Sequence, residues 1–300
     1  MDIREGLITP LTPITTEDSN SGYVNPVMGI YKPALTCCGL DPTREVDVID
    51  QTGTRRIVHA SSELPLTIIA DGQDIVTLMT LGTEPEKLTL GYLLNQRLIE
   101  HLKDIASVTV DWQQETARVA TVNGLGIDEL SVEPRHRIIT TGCGQGTIYS
   151  CTLDKLYDQR LPNKLIRQTA IYSALTAVKS HNRVYRKSGS VHGCALIDGD
   201  TVVSFVEDVG RHNAMDTIAG QMWLDGIQGA GKIFYTTGRL TSEMVMKAAI
   251  MRIPVLVSRN GVTHMAVELA EDLNVMLVAR AKSHQFKVFS NHDQLVFDAR

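Results

Sequence analysis

The sequence predicts an α/β protein: a Cys143 loop and three-layer α/β/α domain over residues 137–300, a small α+β domain over 56–136, and an extended or poorly ordered arm over 1–55. Three observations predict it. Beyond residue 160, apolar runs of six or seven residues alternate with helical patterns of 10–12, a βαβαβ rhythm that implies a parallel or mixed sheet covered on both faces. Between residues 64 and 122, β-rich runs surround one helical pattern. Residues 1–55 scatter Thr, Pro, Asp and Gly ("TPLTPITTEDSNSGYVNP") without a period, so little core is expected there.

The elements follow in order. "ELPLTIIADGQDIVTLMT" reads as a hairpin, with runs Leu64–Ala70 and Ile75–Thr80 joined through Asp71-Gly72. "TEPEKLTLGYLLNQRLI" opens with Thr83 three residues before Glu86, the spacing of a capping box, with Pro85 in the first turn of a helix. Strands are expected around Ser107–Asp111 and Ala117–Val122. Then "LIRQTAIYSALTAV" has helical spacing, "TVVSFVE", "KIFYTT", "IPVLVS" and "NVMLVAR" read as strands, and "TSEMVMKAAIMR" and "THMAVELAEDL" as helices. Ligands of such domains sit in the loops leaving the carboxyl ends of the strands.

Composition narrows the function classes. With 29 Lys and Arg against 34 Asp and Glu, the formal charge is 29 − 34 = −5, which gives no bulk attraction to nucleic acid or anionic membrane. No apolar run approaches the roughly 18 residues of a membrane span, and "MDIREGLITP" lacks a signal pattern, so a cytoplasmic protein is expected. The five cysteines, Cys37, Cys38, Cys143, Cys151 and Cys194, are too sparse for a disulfide scaffold and read as reduced thiols. The adjacent pair in the arm is read as incidental.

Cys143 stands apart. "TTGCGQG" sets it among glycines after Ile138-Ile139, where permissive backbone and small neighbours leave the sulfur accessible. A buried cysteine acting as a small hydrophobe is the ordinary alternative. Three strand-end loops carry polar groups: "VEDVGRHNAMD" with Glu207, Asp208, Arg211 and His212, "TTGRLTSEM" with Gly238 and Arg239, and "VSRNGVTHM" with Arg259. Gly238 and Arg239 are placed at a helix start whose free N–H groups favour an anion. One such loop is an ordinary capped turn, but three on one edge make an arginine-bearing rim suited to a phosphorylated ligand. "VHGC" offers His192 and Cys194, yet no Cys-x-x-Cys or His-x-Glu accompanies them, so no metal is expected.

Read together, "EDVGRHNAMD", "SGSVHGCAL" and the long run from "TTGRLTSEM" to "VARAK" resemble the formate dehydrogenase accessory sulfurtransferase family, FdhD, and the segment from Leu64 to Ile99 is similar to its amino-terminal unit. The resemblance spans roughly residues 60–295. It implies a larger domain similar to cytidine deaminase without that enzyme's zinc. It implies a sulfurtransferase activity: a cysteine persulfide received from a cysteine desulfurase is carried to the bis-molybdopterin guanine dinucleotide form of molybdenum cofactor, for formate dehydrogenase. It also implies a homodimer.

By that resemblance Cys143 matches the first cysteine of a Cys-x-x-Cys loop, while Gly146 stands in place of the second. The family's cofactor-binding stretch matches Val278, Ala279, Arg280, Ala281, Lys282 and Ser283, with Arg280 and Lys282 supplying charge to guanine-nucleotide phosphates. Arg211, His212, Gly238 and Arg239 join them as candidate cofactor contacts. Two other readings stay open. A cofactor-binding chaperone would not move sulfur, and Gly146 favours it. A nucleotide hydrolase would need a metal or carboxylate, for which Glu207 and Asp208 are the candidates.

Overall fold

The structure, a computed structural model, describes residues 31–124 and 160–299, with the strand backbone at 23–24, 137–140 and 146–149. The first part of the chain holds β1 (Tyr23–Val24) paired with β2 (Tyr31–Lys32), then β3 (Ala34–Leu35), β4 (Thr43–Ile49), β5 (Arg55–Ser61), β6 (Leu64–Ala70), β7 (Gln73–Thr80), helix α1 (Pro85–Asn95), β8 (Ile105–Asp111) and β9 (Thr116–Thr121). β3, β8, β9, β6 and β7 form a five-stranded sheet in that order. The hairpin β6–β7 turns at Asp71-Gly72 as the sequence predicts, and Leu66, Ile68 and Ala70 bury their side chains at the two-residue period of a strand with one face inward.

Residues 31–55, assigned from sequence to the arm, are strand-rich. β3 joins the sheet, Tyr31, Leu35 and Cys38 pack on its core, and β4 and β5 make a separate ribbon. The capping box at Thr83–Glu86 does not form. Glu84 is the N-cap, and the Glu86 carboxylate instead accepts from Thr36 Oγ1 (2.6 Å) and the Cys38 amide (3.1 Å), tying the β3 segment down. A tertiary partner has outcompeted the local one.

Next come β10 (Arg137–Thr140) and β11 (Gly146–Tyr149), antiparallel with Thr140 opposite Gly146. The larger unit follows: β12 (Ile166–Arg167), α2 (Gln168–Ala177), α3 (Arg183–Ser188), β13 (His192–Asp198), β14 (Thr201–Asp208), α4 (Arg211–Asp225), β15 (Ile233–Thr236), α5 (Ser242–Ile250), β16 (Val255–Ser258), α6 (His264–Leu273), β17 (Met276–Lys282), β18 (Gln285–Val288) and β19 (Leu295–Val296). Its six-stranded sheet runs β14-β13-β15-β16-β17-β18, parallel at β15–β16–β17 and antiparallel elsewhere. Phe234, Leu256 and Leu277 face α4, α5 and α6 on one side, while Tyr235, Val257 and Val278 face α2 on the other. The mixed sheet with helices on both faces is the α/β arrangement that the sequence rhythm predicts.

The two sheets meet where α1 crosses α4. A Cβ on Gly91 would lie 1.7 Å from the Asp216 carbonyl oxygen, and one on Gly220 1.9 Å from that of Lys87, so the backbones touch where only glycine fits. Such contact explains why α1 is buried nearly all round. Beside the crossing, Asn95 donates to Asp216 (2.7 Å), Asp216 pairs with Lys247 (2.8 Å), and Lys247 reaches Glu243 (3.3 Å). A second joint forms at the end of β14. Asp208 accepts from Thr80 Oγ1 (2.6 Å) and the Leu81 amide (3.1 Å), while Asn213 donates to the Met79 carbonyl (2.7 Å).

Candidate functional site: a cleft along the strand ends

The carboxyl ends of β14, β15, β16 and β17 and the amino end of β13 share one edge of the sheet, because β13 pairs antiparallel with both neighbours: His192 opposite Asp208, Cys194 opposite Thr236. A cleft of ≈ 480 Å³ lies along that edge, lined among others by Asn182, Tyr185, His192, Thr237, Arg259 and Lys282. This is the size class of small-molecule sites. From His192 on β13 to Lys282 on β17 there are three inter-strand steps, roughly 14 Å at about 4.8 Å each. That is the reach of a base-to-diphosphate unit.

The cleft is electropositive. Arg259 and Lys282 line it, and His192 is held below the usual imidazole range by burial first, then by Arg211 and Arg239. His192 Nδ1 lies 3.3 Å from Thr237 Oγ1, and the same hydroxyl accepts the Gly193 amide (3.1 Å). A Cβ at Gly193 would stand 2.9 Å from the Phe205 ring and 3.0 Å from Asn182 Oδ1, so those side chains would have to shift to admit one.

The residues nominated from sequence are distributed unevenly about this cleft. Lys282 lines it. In the same stretch Val278, Ala279 and Ala281 are fully buried in the sheet, while Arg280, Lys282 and Ser283 are exposed. A break in the β17–β18 register between Ala279 and Lys282, with Arg280 (φ 51°) and Ser283 (φ 50°) left-handed, sets which side chains turn outward. The Arg280 amide is anchored to the Asn260 carbonyl (2.8 Å).

Arg211 is buried behind the rim, and its aliphatic chain explains Gly238, whose Cβ would fall 2.5 Å from Arg211 Cδ. The expectation of a free amide at Gly238 is corrected. Helix α5 begins at Ser242 with Thr241 as N-cap, and the Gly238 N–H donates to Thr236 Oγ1 at 3.0 Å. Arg239 is exposed. His212 is partly buried, with 12% of its side chain exposed, 3.3 Å from Glu243, and desolvation holds its pKa at about 3, so at neutral pH it is an uncharged imidazole.

Tyr185, Asn182 and Glu207 gain roles that the sequence reading did not give them. Glu207 Oε2 accepts the Val184 amide and Oε1 the Tyr185 amide, both at 2.8 Å, so one carboxylate holds the start of α3. Asp208 is likewise spent on Thr80, Leu81, Gly210 and Asn213. Both carboxylates that the sequence offered for a hydrolase are thus engaged in holding the fold. Cys194 is fully buried with its thiol pushed up to about 12, mainly by burial, and its Sγ lies 3.3 Å from Thr236 Oγ1. Among the described residues, no group of three or more His, Cys, Asp or Glu could hold a metal ion. No described helix is long and apolar enough to cross a membrane.

The FdhD/NarQ family pattern matches residues 61–296, most of the chain. The chain belongs to the FdhD/NarQ family. Among FdhD relatives, it is 27% identical over 239 residues to the sulfur carrier protein FdhD of Bacillus licheniformis, covering 79% of this chain and 90% of that one. It is 29% identical over 236 residues to the sulfur carrier protein FdhD of Staphylococcus aureus strain MRSA252, covering 78% and 88%. A solved structure from Desulfotalea psychrophila, described as a formate dehydrogenase accessory protein, superposes with a TM-score of 0.66 at 24% identity, over 85% of this chain and 98% of that one. That likeness shows a shared FdhD-like fold. Cys143, Cys151 and the glycines around Cys143 lie outside the described residues, apart from the Gly146 backbone in β11.

Proposed function

We propose that this FdhD/NarQ protein is a sulfur carrier in which Cys143 takes persulfide sulfur from a cysteine desulfurase and passes it to bis-molybdopterin guanine dinucleotide, the substrate, for formate dehydrogenase. The observation that carries the reading is the electropositive cleft of nucleotide size in a chain of this family, whose Cys143 falls in sequence between the paired residues Thr140 and Gly146. A cytoplasmic homodimer and a cytidine-deaminase-like description of the larger sheet belong to the same reading.

The transfer is balanced without an external oxidant. The Cys143 thiolate attacks the outer sulfur of the desulfurase persulfide, a new S–S bond forms at Cys143, and the old S–S bond breaks to release the desulfurase thiolate. Delivery takes a thiol as co-reactant: its thiolate attacks the inner sulfur of the Cys143 persulfide, the S–S bond breaks, the outer sulfur leaves as hydrosulfide for the substrate, and a second thiol reduces the disulfide left on Cys143. Lys282 and Arg259 would neutralise phosphate on the substrate.

In cells lacking their own copy, the wild-type chain should restore formate dehydrogenase activity, Cys143→Ala should not, and Cys194→Ala should retain it if folded. The second reading, a chaperone that binds the cofactor without moving sulfur, is favoured by Gly146 standing in place of a second loop thiol. Activity retained in Cys143→Ala would decide for it.

A further inference from the structure

The short helix α3 is held far more firmly than six residues require. Glu207, itself buried, takes the two amides at its start, Arg186 reaches back to the carbonyls of Asn182 (2.9 Å) and Ser180 (2.8 Å), and Ser61 of β5 bonds Ser188 (2.7 Å) and Ser190 (2.8 Å) at its far end. Isolated helices of this length do not persist in water, so these contacts are what keep it formed. Yet the helix buries none of its own residues, and Tyr185 is 51% exposed where it lines the cleft. An aromatic residue whose backbone is held at a cleft wall while its side chain stays half exposed, on a helix that contributes no core, is placed for a ligand.

Direction follows from the sheet order. Glu207 lies on β14 at one end of the sheet, and so do the helix it holds and Tyr185; Arg259 and Lys282 lie two and three strands beyond β13. A flat, apolar-faced group fits the first end and an anion the second. We propose that Tyr185 stacks on the base of a purine nucleotide whose phosphates lie towards Arg259 and Lys282, and that Glu207 is the positioning residue that keeps Tyr185 in place. This deepens the reading of the cleft as the site for a guanine-nucleotide substrate and rests on it.

The test is calorimetry on the full chain with two probes, GDP and inorganic pyrophosphate. Wild type binds both. Tyr185→Leu should weaken GDP roughly tenfold, the scale of one base–aromatic stack, and leave pyrophosphate unchanged, while Tyr185→Phe, which keeps the ring, should stay within about twofold of wild type. Lys282→Ala should weaken both probes. Glu207→Gln puts an N–H₂ against one of the two backbone donors and should weaken GDP alone. Bound GDP should show hypochromism of its base absorption, lost in Tyr185→Leu, a signature that a purely structural role would not move. If Tyr185→Leu binds GDP with wild-type affinity and hypochromism, the stacking role is wrong although the cleft reading survives. If Glu207→Gln is indistinguishable from wild type, the positioning role is wrong. If wild type binds neither probe, the cleft reading falls and the inference with it.

Discussion

His212 illustrates how burial sets chemistry at single residues. Its ring faces Glu243, with Lys247, Arg211 and His192 around it, and desolvation outweighs the carboxylate to give a folded pKa of about 3 against an ordinary 6.5. The sign follows. Between those values the unfolded chain binds a proton that the folded chain does not, so stability contributed by His212 is present above about pH 6.5 and lost as pH falls towards about 3. The loss should reach a few kcal/mol, on the order of 1.4 kcal/mol per pH unit. Denaturant unfolding of wild type and His212→Gln across this range should show the two stability curves converging as the pH falls, with the difference isolating this group. Its sequence setting, a histidine before a helix on an arginine-bearing loop, pointed to ligand contact. Nothing in sequence signals how strongly its ring is desolvated beside Glu243.

At the scale of elements, the α1–α4 crossing carries the sharpest constraint. Gly91→Ala would drive a methyl into the Asp216 carbonyl, so the helices must separate and disturb the Asp216–Lys247 pair beside them. Chemical denaturation should show a loss of about 2–3 kcal/mol or more, against under about 0.5 kcal/mol for Ser substitutions at exposed polar positions such as Gln113. The long periodic elements were legible: the β6–β7 hairpin, α1, and the β15-α5-β16-α6-β17 run all follow from periodicity. α3 and β13 were not. Six residues of helix carry less than two turns of pattern, and α3 exists through partners on β14 and β5 that are distant in sequence. The same cause moved the first turn of α1 from its local cap to Thr36 and Cys38.

For the whole molecule, a cleft assembled from residues 182, 185, 189–193, 209, 237, 259–260 and 282 could be anticipated only in part. Arg259 and Lys282 were legible because strand-end loops in α/β sheets gather ligands. Tyr185 and the Glu207 clamp were not, since both depend on the antiparallel β13–β14 pair bringing α3 to that edge. On the proposed function, the thiol set among glycines in sequence serves this cleft as a sulfur carrier. Intact-mass analysis after incubation with a cysteine desulfurase and cysteine tests it most directly. The wild-type chain should gain about 32 Da, one sulfur atom, reversed by a thiol reductant, absent in Cys143→Ala and kept in Cys151→Ala. No gain in wild type, with a gain appearing in Gly146→Cys, would contradict the claim and leave a cofactor-binding chaperone.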